Sequence, residues 1–227
     1  MSTNEEQAIG VGERTPAAET GPVTTPGPPV ADPAPLGLAA FAFTTFLLSA
    51  ANAGWMTAAT GAAWLGYAFG YGGLVQLLAG MWEFRNKNVF GSTAFGTYGG
   101  FWIGLAIWYE LVAPKAHSPA AANHDIAWIL VATAIFNTYM MFWSMQVNGA
   151  VFGVFLTLEA TEIILIIGLF IGSTGIVKVG GYVGVLTALV AWYTSAAGVV
   201  NGMGSALRLP VGKPLITQTA SPAISRA

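Results

Sequence analysis

Glu159 and Glu162 are the residues whose type and spacing point most directly to chemistry. They stand three residues apart within an apolar stretch, Val151 to Phe170, and so share one face of a helix. A carboxylate at bilayer depth costs about 2.5–3.5 kcal/mol on insertion scales, and no basic residue lies within a turn of either. Two carboxyls so placed cannot both be ionised cheaply. They read as a proton-accepting pair or the wall of a polar pathway, or else as a neutral, hydrogen-bonded glutamic acid in a helix contact. Glu83 differs: it closes another apolar stretch beside Arg85 and Lys87, where an interfacial ion pair is expected. Glu110 and Asp125 also fall at stretch ends. Thr44, Thr45, Asn52, Gln76, Thr97, Asn137 and Thr161 lie deeper, and each taken alone reads as interhelical glue before substrate contact.

Little other chemistry is on offer. The chain has no cysteine and two histidines, His117 and His124. These provide no nucleophile–base pair and no metal cluster, so neither an enzyme nor a metal or other cofactor is expected. There is no P-loop and no dinucleotide fingerprint. Gly70–Tyr71–Gly72–Gly73 sits inside a hydrophobic stretch, where it cannot cradle phosphate. Any pumping must draw on an ion gradient or another subunit. A net charge of −2 gives no reason to expect nucleic acid.

The elements that hold these residues must be membrane-spanning helices. Only 8% of the 227 residues are charged and 55% are hydrophobic, against about 25% charged in a soluble domain. The mean hydropathy is +0.64. Leu36 to Leu207 divides into six apolar stretches, near 37–57, 61–84, 93–113, 125–146, 150–172 and 179–204. Each is close to the 20 or so residues that a helix needs to cross about 30 Å of hydrocarbon. The stretches lack the alternation of barrel strands and are too long for them. The fold class expected is thus an all-α integral membrane protein with six transmembrane helices per protomer. Residues 1–35, rich in proline and carrying Glu5, Glu6, Glu13 and Glu19, read as a disordered tail. They lack the basic start and apolar run of a secretory signal. Residues 36–208 form the transmembrane domain, and 209–227 read as a flexible C-terminal tail.

An even number of spans puts both termini on one side, with Arg14, Arg85, Lys87, Arg208, Lys213 and Arg226. Only Lys115 and Lys178 fall opposite, so both termini are expected in the cytoplasm, with the chain in the cell membrane. Trp55, Trp82, Trp108 and Trp128 fall near span ends, as interfacial anchors do. Glycines recur at intervals of four: Gly96, Gly100 and Gly104, then Gly66 with Gly70, Gly180 with Gly184, and Gly198 with Gly202. Such stripes let helix backbones approach closely, within one protomer or between subunits.

Longer matches carry a resemblance. Asp32–Pro33–Ala34–Pro35–Leu36–Gly37–Leu38 resembles the Asn-Pro-Ala-Pro-Leu-Gly-Leu signature of the acetate uptake transporter family. That family holds bacterial succinate/acetate permeases and fungal ammonia/acetate transporter homologues. The likeness continues through Asn52–Ala53–Gly54, Ala79–Gly80–Met81–Trp82–Glu83–Phe84, Asn88–Val89–Phe90–Gly91 and Tyr98–Gly99–Gly100–Phe101–Trp102, and spans about 32 to 204. It implies a six-helix protomer in a ring-shaped homo-oligomer, typically a hexamer, with one path per protomer for acetate and related small carboxylates such as succinate. By position, Phe41, Tyr98 and Leu158 look like the residues that narrow the path. Ala191 looks like a further position that influences which acids pass, and Thr44, Asn52, Gln76 and Thr97 like substrate-binding polar groups.

Physical reasoning makes the resemblance workable. Pro33 suits a first helical turn and Asp32 its N-cap, and a helix start offers free N–H groups to a carboxylate. The Tyr98 hydroxyl is placed to bond a passing carboxyl group. Two departures matter. Asp32 replaces the usual Asn, adding negative charge where an anion would approach. Glu159 and Glu162 stand where the bacterial permease is apolar or neutral, and are expected to take part in proton coupling. The function expected is proton-coupled carboxylate transport; the alternatives are a passive anion channel of the same fold, or a non-transporting membrane assembly or sensor.

Overall fold

The computed structural model describes residues 30–56, 62–204 and 206–216. Most of the expected N-terminal tail, the end of the C-terminal one, Arg14, Arg226 and the division at Thr57–Thr60–Gly61 lie outside the described residues.

Among the described residues, the regular structure is helical. α1 covers Ala34–Asn52. α2 (Trp64–Tyr67) passes through a π-helical stretch, Ala68–Val75, directly into α3 (Gln76–Arg85). α4 (Val89–Ile107) ends in a π-helical turn, Trp108–Val112, and a 3₁₀ turn, Ala113–Lys115. α5 (Pro119–Ser144), α6 (Gly149–Phe170) and α7 (Thr174–Gly202) complete the bundle. α1, α5, α6 and α7 are each long and apolar enough to cross a membrane. The other two expected spans are the run 64–85, which the π stretch interrupts, and α4, whose apolar character is diluted by glycine, serine and threonine.

The boundaries follow from caps that the hydropathy pattern does not register. Asn88, Ser118, Asn148 and Ser173 each accept a hydrogen bond from the backbone N–H three residues on, filling one of the unpaired donors of a helix start. α4, α5 and α7 therefore begin four to six residues before the expected starts at 93, 125 and 179. His124, just outside the stretch expected to start at 125, lies within α5, its ring against Phe170. At the other ends, Gly54 and Gly172 take positive φ after α1 and α6, where a side chain would be strained. Pro33, and not Asp32, occupies the N-cap of α1, with Pro35 in the first turn. Asp32 sits one residue further out, its carboxylate accepting from the N–H of Ala34 at 3.0 Å.

The most extensive helix contacts are α1 with α7, α6 with α7, α5 with α6 and α3 with α4. Glycine allows these approaches. A Cβ on Gly80 would meet the backbone of Gly96 at 2.6 Å, and one on Gly99 the backbone of Leu77 at 2.6 Å. Gly180 and Gly184 face Leu165 and Ser49, so that stripe packs inside the protomer, whereas in the pair Gly198 and Gly202 only Gly198 is packed, against Pro35. Gly66, Gly70, Gly100 and Gly104 instead have nothing within 4 Å of where a Cβ would stand. The two kinds of stripe do different work.

The segment after α7 is tied to the bundle. Asn201 accepts from the N–H of Leu209 and donates to its carbonyl, and Tyr193 donates to the carbonyl of Pro210. The Val211 carbonyl accepts from Ala150, and Leu215 and Ile216 donate to Met145. The flexible tail expected from 209 is thus hydrogen-bonded through 216, because its backbone finds partners at the turn between α5 and α6.

Candidate functional site: a constriction between two cavities

Phe41 on α1, Tyr98 on α4 and Leu158 on α6 meet in one buried cluster, with Ala191 of α7 fully buried beside them. The Phe41 and Tyr98 rings stand edge-on with centroids 5.6 Å apart. All three residues line two cavities at once. One cavity, about 80 Å³, opens toward the start of α1 and is walled by Leu38, Gln76, Asn88, Phe90 and Val151 among others. The other, about 50 Å³, lies toward the end of α1 against Thr45, Ser49, Asn52, Trp102, Leu165 and Glu162. Each has room for a molecule of only a few heavy atoms. The three side chains are the partition between them.

The two chambers differ in polarity. Gln76, buried on α3, contributes to the first a carbonyl oxygen that makes no hydrogen bond within the protein. In the second, three buried polar atoms lack protein partners: Thr45 Oγ1, Trp102 Nε1 and Glu162 Oε2. A buried polar atom without a partner costs about 1–3 kcal/mol, so these atoms favour a molecule that both donates and accepts hydrogen bonds. Trp102 can only donate, a carboxylate can only accept, and a threonine hydroxyl does both. Among the described residues, no lysine, arginine or histidine lines either chamber.

The expected site residues sort as follows. Phe41, Tyr98 and Leu158 come together, with Ala191 packed against them. Gln76 and Asn52 reach the two cavities, one each. Thr44 reaches neither. It is buried and directs its hydroxyl to the carbonyls of Ala40 and Tyr67, bracing α1 against the run 64–85. Thr97 is exposed on the outer face of α4, beside the open Gly100, because it lies about 100° around the helix from Tyr98. Of the signature residues, Ala34 and Leu38 line the first cavity. Gly37 lies against the Phe95 ring, and the Pro35 carbonyl accepts from Ser195 Oγ at 2.6 Å, pinning α1 to α7. Pro33 is the cap, and Leu36 points outward.

Glu83 is not the interfacial ion pair that its neighbours suggested. It is fully buried, accepts from Asn86 Nδ2 at 3.1 Å and lies against Gly91 of α4. The helix turns its side chain inward while Arg85 and Lys87 face out. The other acids part company. Glu162 lines the second cavity, whereas Glu159 turns to α5, where Asn137 Nδ2 donates to it at 2.6 Å and the Thr138 hydroxyl lies at 2.7 Å. The Tyr98 hydroxyl is engaged as well, donating to Asn137 Oδ1 at 2.8 Å. A passing carboxyl would have to compete with that bond.

Sequence reasoning gave no role to Ser49 or Thr138, and left Thr45, Trp102 and Asn137 as general polar or motif residues. The available signal was an unpaired donor or acceptor in an apolar stretch, but which of these face a cavity depends on the helix partner.

The chain is similar to known proteins in sequence and in fold. The chain is 39% identical over 198 residues to acetate permease A of Emericella nidulans, covering 80% of this chain and 65% of that protein. It is 32% identical over 185 residues to the succinate-acetate/proton symporter SatP of Escherichia coli, covering 81% of this chain and 96% of SatP. The solved structure of the bacterial acetate channel SatP superposes with a TM-score of 0.74 at 30% identity, over 81% of this chain and all of that one. Against fungal relatives such as acetate permease A, the chain spans just under two thirds of their length. An all-helical bundle with membrane-crossing helices, a signature-bearing α1 and a match to the family model from residue 16 to residue 214 together place this chain in the GPR1/FUN34/yaaH family.

Proposed function

We propose that this chain is a six-span membrane protomer that carries acetate and related small carboxylates, succinate included, together with protons. The observation that carries the reading is the partition: Phe41, Tyr98 and Leu158 are shared by two cavities at opposite ends of the bundle. An apolar narrow point passes a small acid more readily in its neutral form than as a hydrated anion, because burying an unpaired charge is expensive. The absence of basic residues from the lining of both cavities favours the same form. In the second cavity, Trp102 Nε1–H would donate to the acid's carbonyl oxygen, while Glu162 or Thr45 would accept from its O–H. Glu159 and Glu162 are the proposed proton-coupling groups.

Both ends of the chain would lie in the cytoplasm, with Arg85, Lys87, Arg208 and Lys213 on that side, so the first cavity would be the cytoplasmic one. The unpacked glycines on α4 and on the run 64–85 support assembly into a ring of copies, a hexamer in this reading. SatP is described both as a proton symporter and as a channel, which marks the alternative of passive anion flow through the same fold.

The test is labelled-acetate uptake into vesicles under an imposed pH gradient, with Glu159→Gln and Glu162→Gln beside the parent. Coupling requires accumulation that collapses when the gradient is dissipated, and at least one Gln variant with altered pH dependence. Uptake that follows only the acetate gradient, unchanged in both variants, would support the channel.

A further inference from the structure

The amide of Asn137 is fully buried on α5, and its hydrogen bonds close the account for that side chain. Oδ1 accepts the Tyr98 hydroxyl at 2.8 Å, and the two protons of Nδ2 go to the Phe155 carbonyl at 3.1 Å and Glu159 Oε2 at 2.6 Å. One amide therefore joins α4, α5 and α6, and its orientation is fixed because a tyrosine hydroxyl can donate and a backbone carbonyl cannot. Glu159 anchors the outer end of the chain, with Oε1 2.7 Å from Thr138 Oγ1. It lines neither cavity.

We infer that Glu159 is a positioning residue for the constriction, holding the Tyr98 ring at the narrow point through Asn137. The Tyr98 ring is otherwise packed among aromatic rings, Phe41 at 5.6 Å, Phe136 at 5.5 Å, Phe155 at 6.4 Å and Phe101 at 6.5 Å, which set a packing distance but do not fix a direction as a hydrogen bond does. Remove the acceptor at position 159, and Nδ2 of a fully buried amide is left a partner short. The amide then turns, the Tyr98 hydroxyl loses its fixed acceptor, and the ring samples positions that widen the passage. Selectivity for small acids thus depends on a side chain that never touches the permeating molecule. This rests on the carboxylate path proposed above, but differs from proton coupling in what it asks of position 159. Glutamine keeps an acceptor for Asn137 and replaces the oxygen that accepts from Thr138 with an N–H that can donate to the same hydroxyl, so it preserves positioning while removing titration; leucine removes both contacts.

The experiment compares parent, Glu159→Gln, Glu159→Leu, Tyr98→Phe and the Glu159→Leu/Tyr98→Phe pair in vesicles, reading the ratio of butyrate to acetate uptake. The chain has no cysteine, so Thr45→Cys, in the second cavity, introduces a single thiol. Its labelling by a membrane-impermeant methanethiosulfonate, applied from the face where α1 begins, reports the opening without using any carboxylate. The butyrate ratio should rise about fivefold in Glu159→Leu and in Tyr98→Phe, the scale of one lost hydrogen bond. It should stay near the parent value in Glu159→Gln, and the double variant should add nothing to either single one. Labelling should quicken by about the same factor in Glu159→Leu. An unmoved ratio with unmoved labelling, a glutamine as disruptive as leucine, or full additivity would overturn the inference. If Glu159→Leu does not fold, Tyr98→Phe and Glu159→Gln decide it. If the parent carries no acetate, the carboxylate reading fails and labelling alone judges the positioning role.

Discussion

Replacing Phe41 with alanine is expected to merge the two cavities and to cut discrimination between acetate and butyrate by about tenfold, the scale of methylene-sized selection in an apolar pocket. The ring is only 4% exposed and borders both chambers, so its removal leaves a void that the Tyr98 edge, 5.6 Å away, does not fill. Truncating a buried Phe also costs about 3–5 kcal/mol of stability. The variant must therefore be shown monodisperse by gel filtration before its uptake is compared. Competition by butyrate against labelled acetate is the measurement. Unchanged competition in a well-folded variant would mean that the narrow point lies elsewhere.

The second large effect concerns folding. A Cβ on Gly181 of α7 would stand 2.5 Å from the backbone nitrogen of Ala53 and 2.8 Å from both the Asn52 carbonyl carbon and the Ser49 carbonyl oxygen. All three are backbone atoms, so no rotamer change relieves the contact; α1 has to move away from α7, its largest partner. Gly181→Ala is expected to destabilise the protomer by about 3 kcal/mol, the upper end of ordinary overpacking. It should also displace Phe41, which rides on α1. Gly175→Ala is the control: its new Cβ meets only the Ser173 hydroxyl at 3.8 Å, and alanine favours the helix that it opens. Thermal unfolding in one detergent should separate the two variants clearly, and equal midpoints would refute the packing argument.

The helices were legible because their divisions carry the residues that stop and start them. Asn88, Asn148 and Ser173 stand in the polar breaks that the sequence displays, and each caps a helix. Which way each helix faces was not legible from composition. In a bilayer the outer surface is as apolar as the core, so polar and apolar residues do not separate by face as they do on a soluble helix. Thr97 and Thr45 look alike in the sequence, yet one is exposed and the other borders a cavity. Likewise, helical spacing put Glu159 and Glu162 on one side of α6, but Glu159 bonds to α5 while Glu162 borders the second cavity. The meeting of Phe41, Tyr98 and Leu158 between two cavities was legible only through the family resemblance, since a buried Phe, Tyr and Leu are what any packed helix contact contains. Glu83 misled for a similar reason: proximity in sequence to Arg85 and Lys87 says nothing about which residues the helix turns inward.

The π-helical stretch Ala68–Val75 bears on how related chains should be compared. A π turn accommodates one residue more than an α turn, and is the natural place in a helix for a lineage to gain or lose a single codon. Losing one here would let the run 64–85 continue as plain α-helix, but would swing one half against the other by about 100°. Either Gln76 would leave the first cavity or the Gly66–Gly70 face would turn away from its present direction. An alignment that slides a gap freely through this stretch would therefore equate residues that face different surroundings, and would misjudge which of them selection has held constant.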